Sequence, residues 1–352
     1  MHYLWRISLI FFAISIRCIF ADIISLYPVK YLEKEPNIDG ILNDDCWKQL
    51  AFTDSFYVYL SKKPISPGFK TSFGIFYNEK GLYIGIINYD ENVDKIRASR
   101  YERDDPLLWM DDCDEIYIDP EGKGIGYTKF ITTYNGTKYD EKRTDTQVTD
   151  VSWNGENWIY KTSKDKDRWI VEIFLPWSDI GRKARVNDLW KFNINRYCYT
   201  TGKSWFAGAS WSFGASYLNP EKFGFLFFSG QETPGMEKIC DILSKTLLPG
   251  WMIPYGEFLF IGKEKGQWTK EEIDGIFKKE YQQAREKISK VDSIIIDFEN
   301  NKKIQDEYEA LKRQLETIPE STHFIGDIDE MISIKEKIDD FYWKLKIEKD
   351  YK

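Results

Sequence analysis

Histidine is nearly absent from this chain of 352 residues, which has two. His2 lies in the apolar N-terminal stretch, so His323 is the one left for chemistry. A Ser-His-Asp or Cys-His mechanism would rest on that residue alone. It sits in the polar run Pro319–Glu–Ser–Thr–His323, far from any nucleophile-like motif. The same scarcity disfavours a haem, which needs His or Met on its iron. Cysteine is also sparse. Beyond Cys18 there are Cys46, Cys113, Cys198 and Cys240, widely spaced and without the paired C-x-x-C that zinc uses. They read as small buried hydrophobes, with any disulfide pairing left open. Basic stripes are missing too. The net charge is -8 with both signs mixed, which excludes nucleic acid as a natural partner. Long apolar runs are absent after the first residues. Ile7 to Ile16 is interrupted by Arg17, short of the roughly 20 residues a membrane span needs. With Arg6 before it and Cys18–Ile–Phe–Ala21 after it, this stretch reads as a secretory signal over residues 1–21. Arg17 beside Cys18 argues against an acylated cysteine. The expected mature chain is exported: secreted, periplasmic or on the cell surface.

What is plentiful is aromatic, at 16% of residues. Excess Trp and Tyr in an exported protein suits a β-sandwich core, a sugar-stacking surface, or both. Strand signals fill residues 22–230. Thr71–Tyr77 and Leu82–Tyr89 flank the turn Asn78–Glu–Lys–Gly81. In Glu115–Asp119 the apolar Ile116 and Ile118 alternate with Glu115, Tyr117 and Asp119, the period of a half-buried strand. Lys129–Tyr134 runs into Asn135–Gly136, a two-residue turn. Trp158–Thr162, Trp169–Leu175, Trp190–Tyr197 and Phe223–Phe228 complete the series. The expected fold is mainly β, an antiparallel, jelly-roll-like β-sandwich.

Residues 231–267 read as a mixed connector rich in Pro and Gly, and 268–352 as a helical region. Thr269–Lys–Glu–Glu272 has the pattern of a capping box. Ile273, Ile276, Phe277, Tyr281 and Ala284 follow at helical spacing, and the pattern runs on to Leu311 and Leu315 before Ile318–Pro319. Ile328, Met331, Ile332, Ile338, Phe341 and Leu345 repeat it between Asp327 and Lys346. The expectation is an antiparallel hairpin or small bundle of two or three helices, packed on itself or offered to a protein partner.

One cluster is dense in charge. Asp104, Asp105, Asp111, Asp112, Asp114, Glu115, Asp119 and Glu121 fall close together. Calcium, which takes oxygen ligands, would absorb such charge. Asp90, Asp104 and Asp105 are the candidate ligands, and the alternative is a solvated acidic loop. Two of these carboxylates could serve a glycosidase, but nothing singles out a pair at the needed separation. Trp109 stands at the mouth of the loop. Its ring could stack on a sugar while neighbouring carboxylates accept hydroxyl protons; otherwise it plugs the end of the fold.

Six segments in order resemble the carbohydrate-binding module family 9. They are Asn37–Ile–Asp–Gly40 with Asn43–Asp–Asp–Cys–Trp47; Trp109–Met–Asp–Asp112 with Glu115–Ile–Tyr–Ile–Asp119; Ser152–Trp–Asn–Gly155; Trp169–Ile–Val–Glu172 through Leu175–Pro–Trp177; Trp190–Lys–Phe–Asn–Ile–Asn–Arg196; and Asn219–Pro–Glu–Lys–Phe–Gly224. The resemblance spans about residues 28–229. It implies a β-sandwich that holds a sugar ring between two aromatic walls, often with calcium supporting the fold. By position, Trp109 and Tyr217 would be the walls, Glu115 a hydroxyl acceptor, and Asp112 the acidic position of the motif. A sugar-binding Arg of the family falls at Ile131 here and an Asn at Gly214, so the implied site is altered. The expected function is non-catalytic binding of a poly- or oligosaccharide, in polysaccharide capture or carbohydrate catabolism. The alternatives are an interaction protein with a degenerate sugar site and a partner-binding helical tail, and, less favoured, a glycoside hydrolase.

Overall fold

The computed structural model describes residues 22–59, 63–144, 148–201, 207–215, 219–319 and 321–350. It divides into two compact units, residues 23–242 and residues 243 onward. The first is mostly β. Its principal strands are β1 (Leu26–Tyr31), β2 (Thr71–Tyr77), β3 (Gly81–Tyr89), β4 (Cys113–Asp119), β5 (Tyr127–Thr133), β6 (Lys138–Arg143), β7 (Ile159–Lys164), β8 (Arg168–Pro176), β9 (Leu189–Cys198), β10 (Ala207–Ser210) and β11 (Gly224–Phe228).

They form one curled, mixed sheet in the order β7-β8-β3-β2-β1-β11-β9-β4-β5-β6, with β10 also on β9. The expectation of a wholly antiparallel sheet fails at β1. Residues 26–29 of β1 run parallel to β11, and Lys30 and Tyr31 run parallel to β2. One strand thus passes its hydrogen bonds from one arm of the sheet to the other. Phe73 on β2 meets Phe192 on β9 at 6.0 Å between ring centroids, although β1 and β11 separate them in the strand order. The two arms therefore share a single core, which includes Ile84, Ile116, Phe130, Trp158, Val171 and Trp190.

Local sequence explains the turns. At the β2–β3 hairpin the Asn78 side chain accepts from the amides of Lys80 and Gly81 at 2.8 and 3.3 Å. Gly81 is required, because a Cβ there would lie 2.3 Å from the Leu175 carbonyl oxygen. Glu172 on β8 ties the N-terminal segment down. It accepts from the amides of Asp39 and Gly40, both at 2.9 Å, and from Trp47 Nε1 at 2.8 Å. Two segments far apart in sequence are thereby joined through one buried carboxylate. The four cysteines 46, 113, 198 and 240 are free and buried, as their spacing suggested.

The second unit holds the strands β12 (Trp251–Tyr255), β13 (Phe258–Glu264) and β14 (Gln267–Glu272), paired antiparallel in that order. The helix α1 (Met236–Thr246) precedes it, and α2 (Ile273–Ile295), α3 (Lys302–Glu316) and α4 (Ile325–Asp350) follow. The capping-box expectation at Thr269–Glu272 is wrong. These residues complete β14, with Thr269 opposite Ile261 and Glu272 opposite Phe258. Helix α2 starts one residue later with no side-chain cap. Its buried stripe, Phe277, Ala284, Ile288 and Val291, and that of α4, Met331, Ile338, Phe341 and Leu345, face inward within this unit. Among the described residues, no helix is long and apolar enough to cross a membrane.

Candidate functional site

Period-two alternation divides β4 between two environments. Ile116 and Ile118 point into the shared core. Glu115 and Tyr117 point to the outer face of the arm β9-β4-β5-β6. Across this arm Glu115 lies opposite Asn195 on β9 and Ile131 on β5, and Lys129 lies opposite Tyr117 on β4 and Glu141 on β6. A row of polar side chains results. Lys129 Nζ sits 3.7 Å from Glu115 Oε1 and 3.4 Å from Glu141 Oε1. Tyr117 donates its hydroxyl to Glu115 at 2.7 Å, and Tyr139 donates to Glu141 at 2.6 Å. Lys129 also lies 5.0 Å from the centre of the Tyr139 ring.

The row is nearly closed to water, with Glu115 at 3% exposure. Burial works against the Lys129 charge, but Glu115 and Glu141 outweigh it and hold the ammonium above its usual range. Burial first, then the neighbouring carboxylates, pushes the Tyr139 and Tyr197 hydroxyls up, so both stay protonated as donors. Asn195 Oδ1 accepts from Asn193 at 2.8 Å, while its buried Nδ2 finds no partner among the described residues. An orphaned buried donor is costly.

Trp109 stands beside this row on a 3-10 turn, Leu108–Met110, just before β4. Leu108 is fully buried and seats the turn, while Trp109 is 36% exposed. The indole ring lies 6.4 Å from the Tyr197 ring, and the Trp109 carbonyl accepts from the Tyr199 hydroxyl at 3.0 Å. Trp109 thus keeps part of its surface in water, while Leu108 packs with Cys113, Ile131, Tyr139 and Tyr197. Tyr217 lies outside the described residues. Ile131 is a buried apolar residue beside Glu115, and Gly214 has φ +65.

The acidic cluster is taken up mostly by backbone amides. Asp111 accepts from the amides of Ser99 and Arg100 at 2.7 and 2.8 Å. Asp112 accepts from the amides of Arg97 at 2.6 Å and Tyr199 at 2.8 Å. Its role is to fasten the loop, and its carboxyl is lifted to about 6, chiefly by burial. Asp119 accepts from the amides of Glu121, Gly122 and Gly124.

The candidate calcium ligands do not converge. Asp104 pairs with Arg103 at 3.2 Å. Asp105 pairs with Arg100 at 3.1 Å and accepts from the Leu107 amide. Asp90 is taken by the Thr200 hydroxyl, the Asn92 amide and the Arg196 guanidinium. The one convergent set among the described residues is Asp90, Asp112 and Cys198. Two carboxylates, a thiol and an adjacent guanidinium do not suit an ion that takes six to eight oxygens. Calcium does not fit these residues. His323, by contrast, is simply exposed in the helical unit.

Sequence reasoning missed Lys129, Glu141, Asn195 and Tyr197. Each occupies an outward position of a strand, where a charged or polar residue reads as solvated. The signal lay in the pairing register, which joins strands distant in sequence.

A family model described as "Carbohydrate family 9 binding domain-like" matches residues 38–231. Among solved structures, a carbohydrate-binding module family 9 protein from Caldicellulosiruptor kristjanssonii in complex with cellotriose is 17% identical. The match covers 59% of this chain and 95% of that one, with a TM-score of 0.45. The module from the same organism in complex with glucose is also 17% identical, covering 59% and 99%, with a TM-score of 0.44. A putative carbohydrate-binding protein from Bacteroides uniformis is 16% identical, covering 58% and 99%, with a TM-score of 0.47. No curated protein sequence matches the chain. With its family model matched over more than half its length, this chain belongs to the carbohydrate family 9 binding domain-like family.

Proposed function

We propose that this chain binds carbohydrate without transforming it, on the outer face of the arm β9-β4-β5-β6 beside Trp109. Membership of the family supports this reading. The observation that carries it is the half-exposed Trp109 ring, set on a fastened turn next to the row Glu115, Lys129 and Glu141. A pyranose presents an apolar C–H face and a rim of hydroxyls. The indole ring takes the first, and the edge of the row that Lys129 and Glu115 keep open takes the second as donor and acceptor. Both carboxylates are already engaged by tyrosine hydroxyls and by Lys129, an arrangement for holding a ligand rather than for exchanging protons with it. The N-terminal sequence of residues 1–21 and this chemistry together suggest capture of polysaccharide outside the cytoplasm.

With few polar contacts, affinity should be weak, on the order of 10 µM to 1 mM. Calorimetric titration with glucose and short cello-oligosaccharides tests this. Trp109→Ala should abolish binding, and near-ultraviolet circular dichroism should show the fold kept. Affinity unchanged in that variant would remove the site.

A further inference from the structure

We propose that Tyr101 forms an outer subsite that takes a further unit of a hexose chain whose end stacks on Trp109. This rests on the reading of Trp109 given above. Three large apolar side chains protrude from the loop between β3 and β4: Tyr101 at 74% exposure, Leu107 at 45% and Trp109 at 36%. Single exposed apolar residues are ordinary. These three share a loop that is fastened on every side.

At its neck, the Asp112 amide donates to the Arg97 carbonyl at 2.8 Å, and Asp111 holds the Ser99 and Arg100 amides. Just before Tyr101, the Arg100 carbonyl accepts from Asn135 Nδ2 at 2.7 Å and from Thr137 Oγ1 at 2.9 Å. Just after it, Arg103 pairs with Asp140, and the Asp104 amide donates to the Lys138 carbonyl at 3.0 Å. Asp104 itself is held at φ +60, in the left-handed region. The backbone on both sides of Tyr101 is thus fixed while its ring stands in water.

The bond from Arg100 to Asp111 also limits distance. Tyr101 is one position from Arg100, and Trp109 is two positions from Asp111. Their Cα atoms therefore lie within about 19 Å, a span that a few linked pyranose rings bridge. A ring that loses little freedom on contact contributes more to binding than a mobile one. The chemistry that fits is a linear hexose oligosaccharide offering the C–H face of a second or later unit.

The test compares the whole chain with Tyr101→Ala by calorimetric titration of glucose and of cellohexaose, with thermal melts to confirm equal folding. In the parent, cellohexaose should bind more tightly than glucose. In Tyr101→Ala that advantage should shrink about fivefold, the worth of one stacked aromatic, and Tyr101→Phe should keep it. An undiminished advantage in Tyr101→Ala would overturn the subsite while leaving the reading of Trp109 intact. If Trp109→Ala binds glucose as the parent does, or if neither sugar binds the parent, the reading of Trp109 fails and the subsite fails with it.

Discussion

Replacing Asp111 should loosen the turn that presents Trp109 without touching the ring. Asp111 is fully buried and both its oxygens are used. Oδ2 accepts from the Ser99 and Arg100 amides at 2.7 and 2.8 Å. Oδ1 accepts from the Ser99 hydroxyl at 2.8 Å and lies 3.5 Å from Arg97 Nε. Hydrogen bonds to a charged acceptor are worth about 1.5–3 kcal/mol each. Ser99 is exposed and Arg100 half-buried, so water recovers part of the loss. For Asp111→Ala the net cost should be about 2–4 kcal/mol. Asp111→Asn can keep its carbonyl toward the two amides and turn its NH2 to the Ser99 hydroxyl, which accepts. It loses the charge and the arginine, and should cost about 1–2 kcal/mol. Sugar affinity should weaken in the same order, because each variant must order the loop before it binds. Urea unfolding followed by tryptophan fluorescence gives the stability, and hydrogen exchange at the Ser99 and Arg100 amides shows whether the loop is what opened. Exchange at the parent rate in Asp111→Ala, with stability within about 0.5 kcal/mol of parent, would refute the pinning argument.

Stability should also depend on pH through Asp112 and Asp114, whose carboxyls burial lifts to about 6 and about 7. Between about pH 4 and pH 7 the folded chain then holds more protons than the unfolded one, so these two groups make stability fall as pH rises through that window. Each tenfold gain in proton affinity on folding corresponds to about 1.4 kcal/mol. Asp114→Asn should therefore flatten the slope in urea midpoints taken at about pH 5 and pH 7. A slope as steep in the variant as in the parent would count against the assignment. Because the acidic side chains are satisfied by amides and arginines, excess EDTA or added calcium should move the melting temperature by no more than about 1 °C. A larger calcium-dependent rise would mean that an ion holds the loop after all.

Strands were legible because their apolar residues alternate or run continuously, and this information is local. The β2–β3 turn was legible because Asn78 and Gly81 carry its geometry themselves. The parallel pairings of β1 were not, since nothing within Leu26–Tyr31 names a partner more than 40 residues away. At Thr269–Glu272 the local signal was real but outweighed: pairing with β13 extends those residues, and a helix cap cannot form there. Trp109 was noticed because it stands at the mouth of an acidic loop, just before β4. Lys129 and Glu141 were not, because a lone charge on a half-buried strand reads as solvated until the register sets it against its partners.

The acidic run from Asp111 to Asp119 looks like one feature in sequence, and the fold makes three of it. Asp111, Asp112 and Asp119 serve backbone amides in turns. Asp114 points inward, accepts from Asn88 Nδ2 at 2.7 Å and is drawn down by Arg196, although burial wins. Glu115, one residue further along a strand of period two, must point outward, to Tyr117 and Lys129. A sugar approaching beside Trp109 would therefore meet one carboxylate of this run. Fold and binding draw on different members of it, because a strand sends adjacent side chains to opposite faces. Substitution of Asp114 should act on stability and leave the outer face in place, whereas substitution of Glu115 should act on the face where the ligand is proposed to lie. A chain built this way can change its ligand through outward positions such as Ile131 or Lys129 without disturbing the carboxylates that fasten its loops.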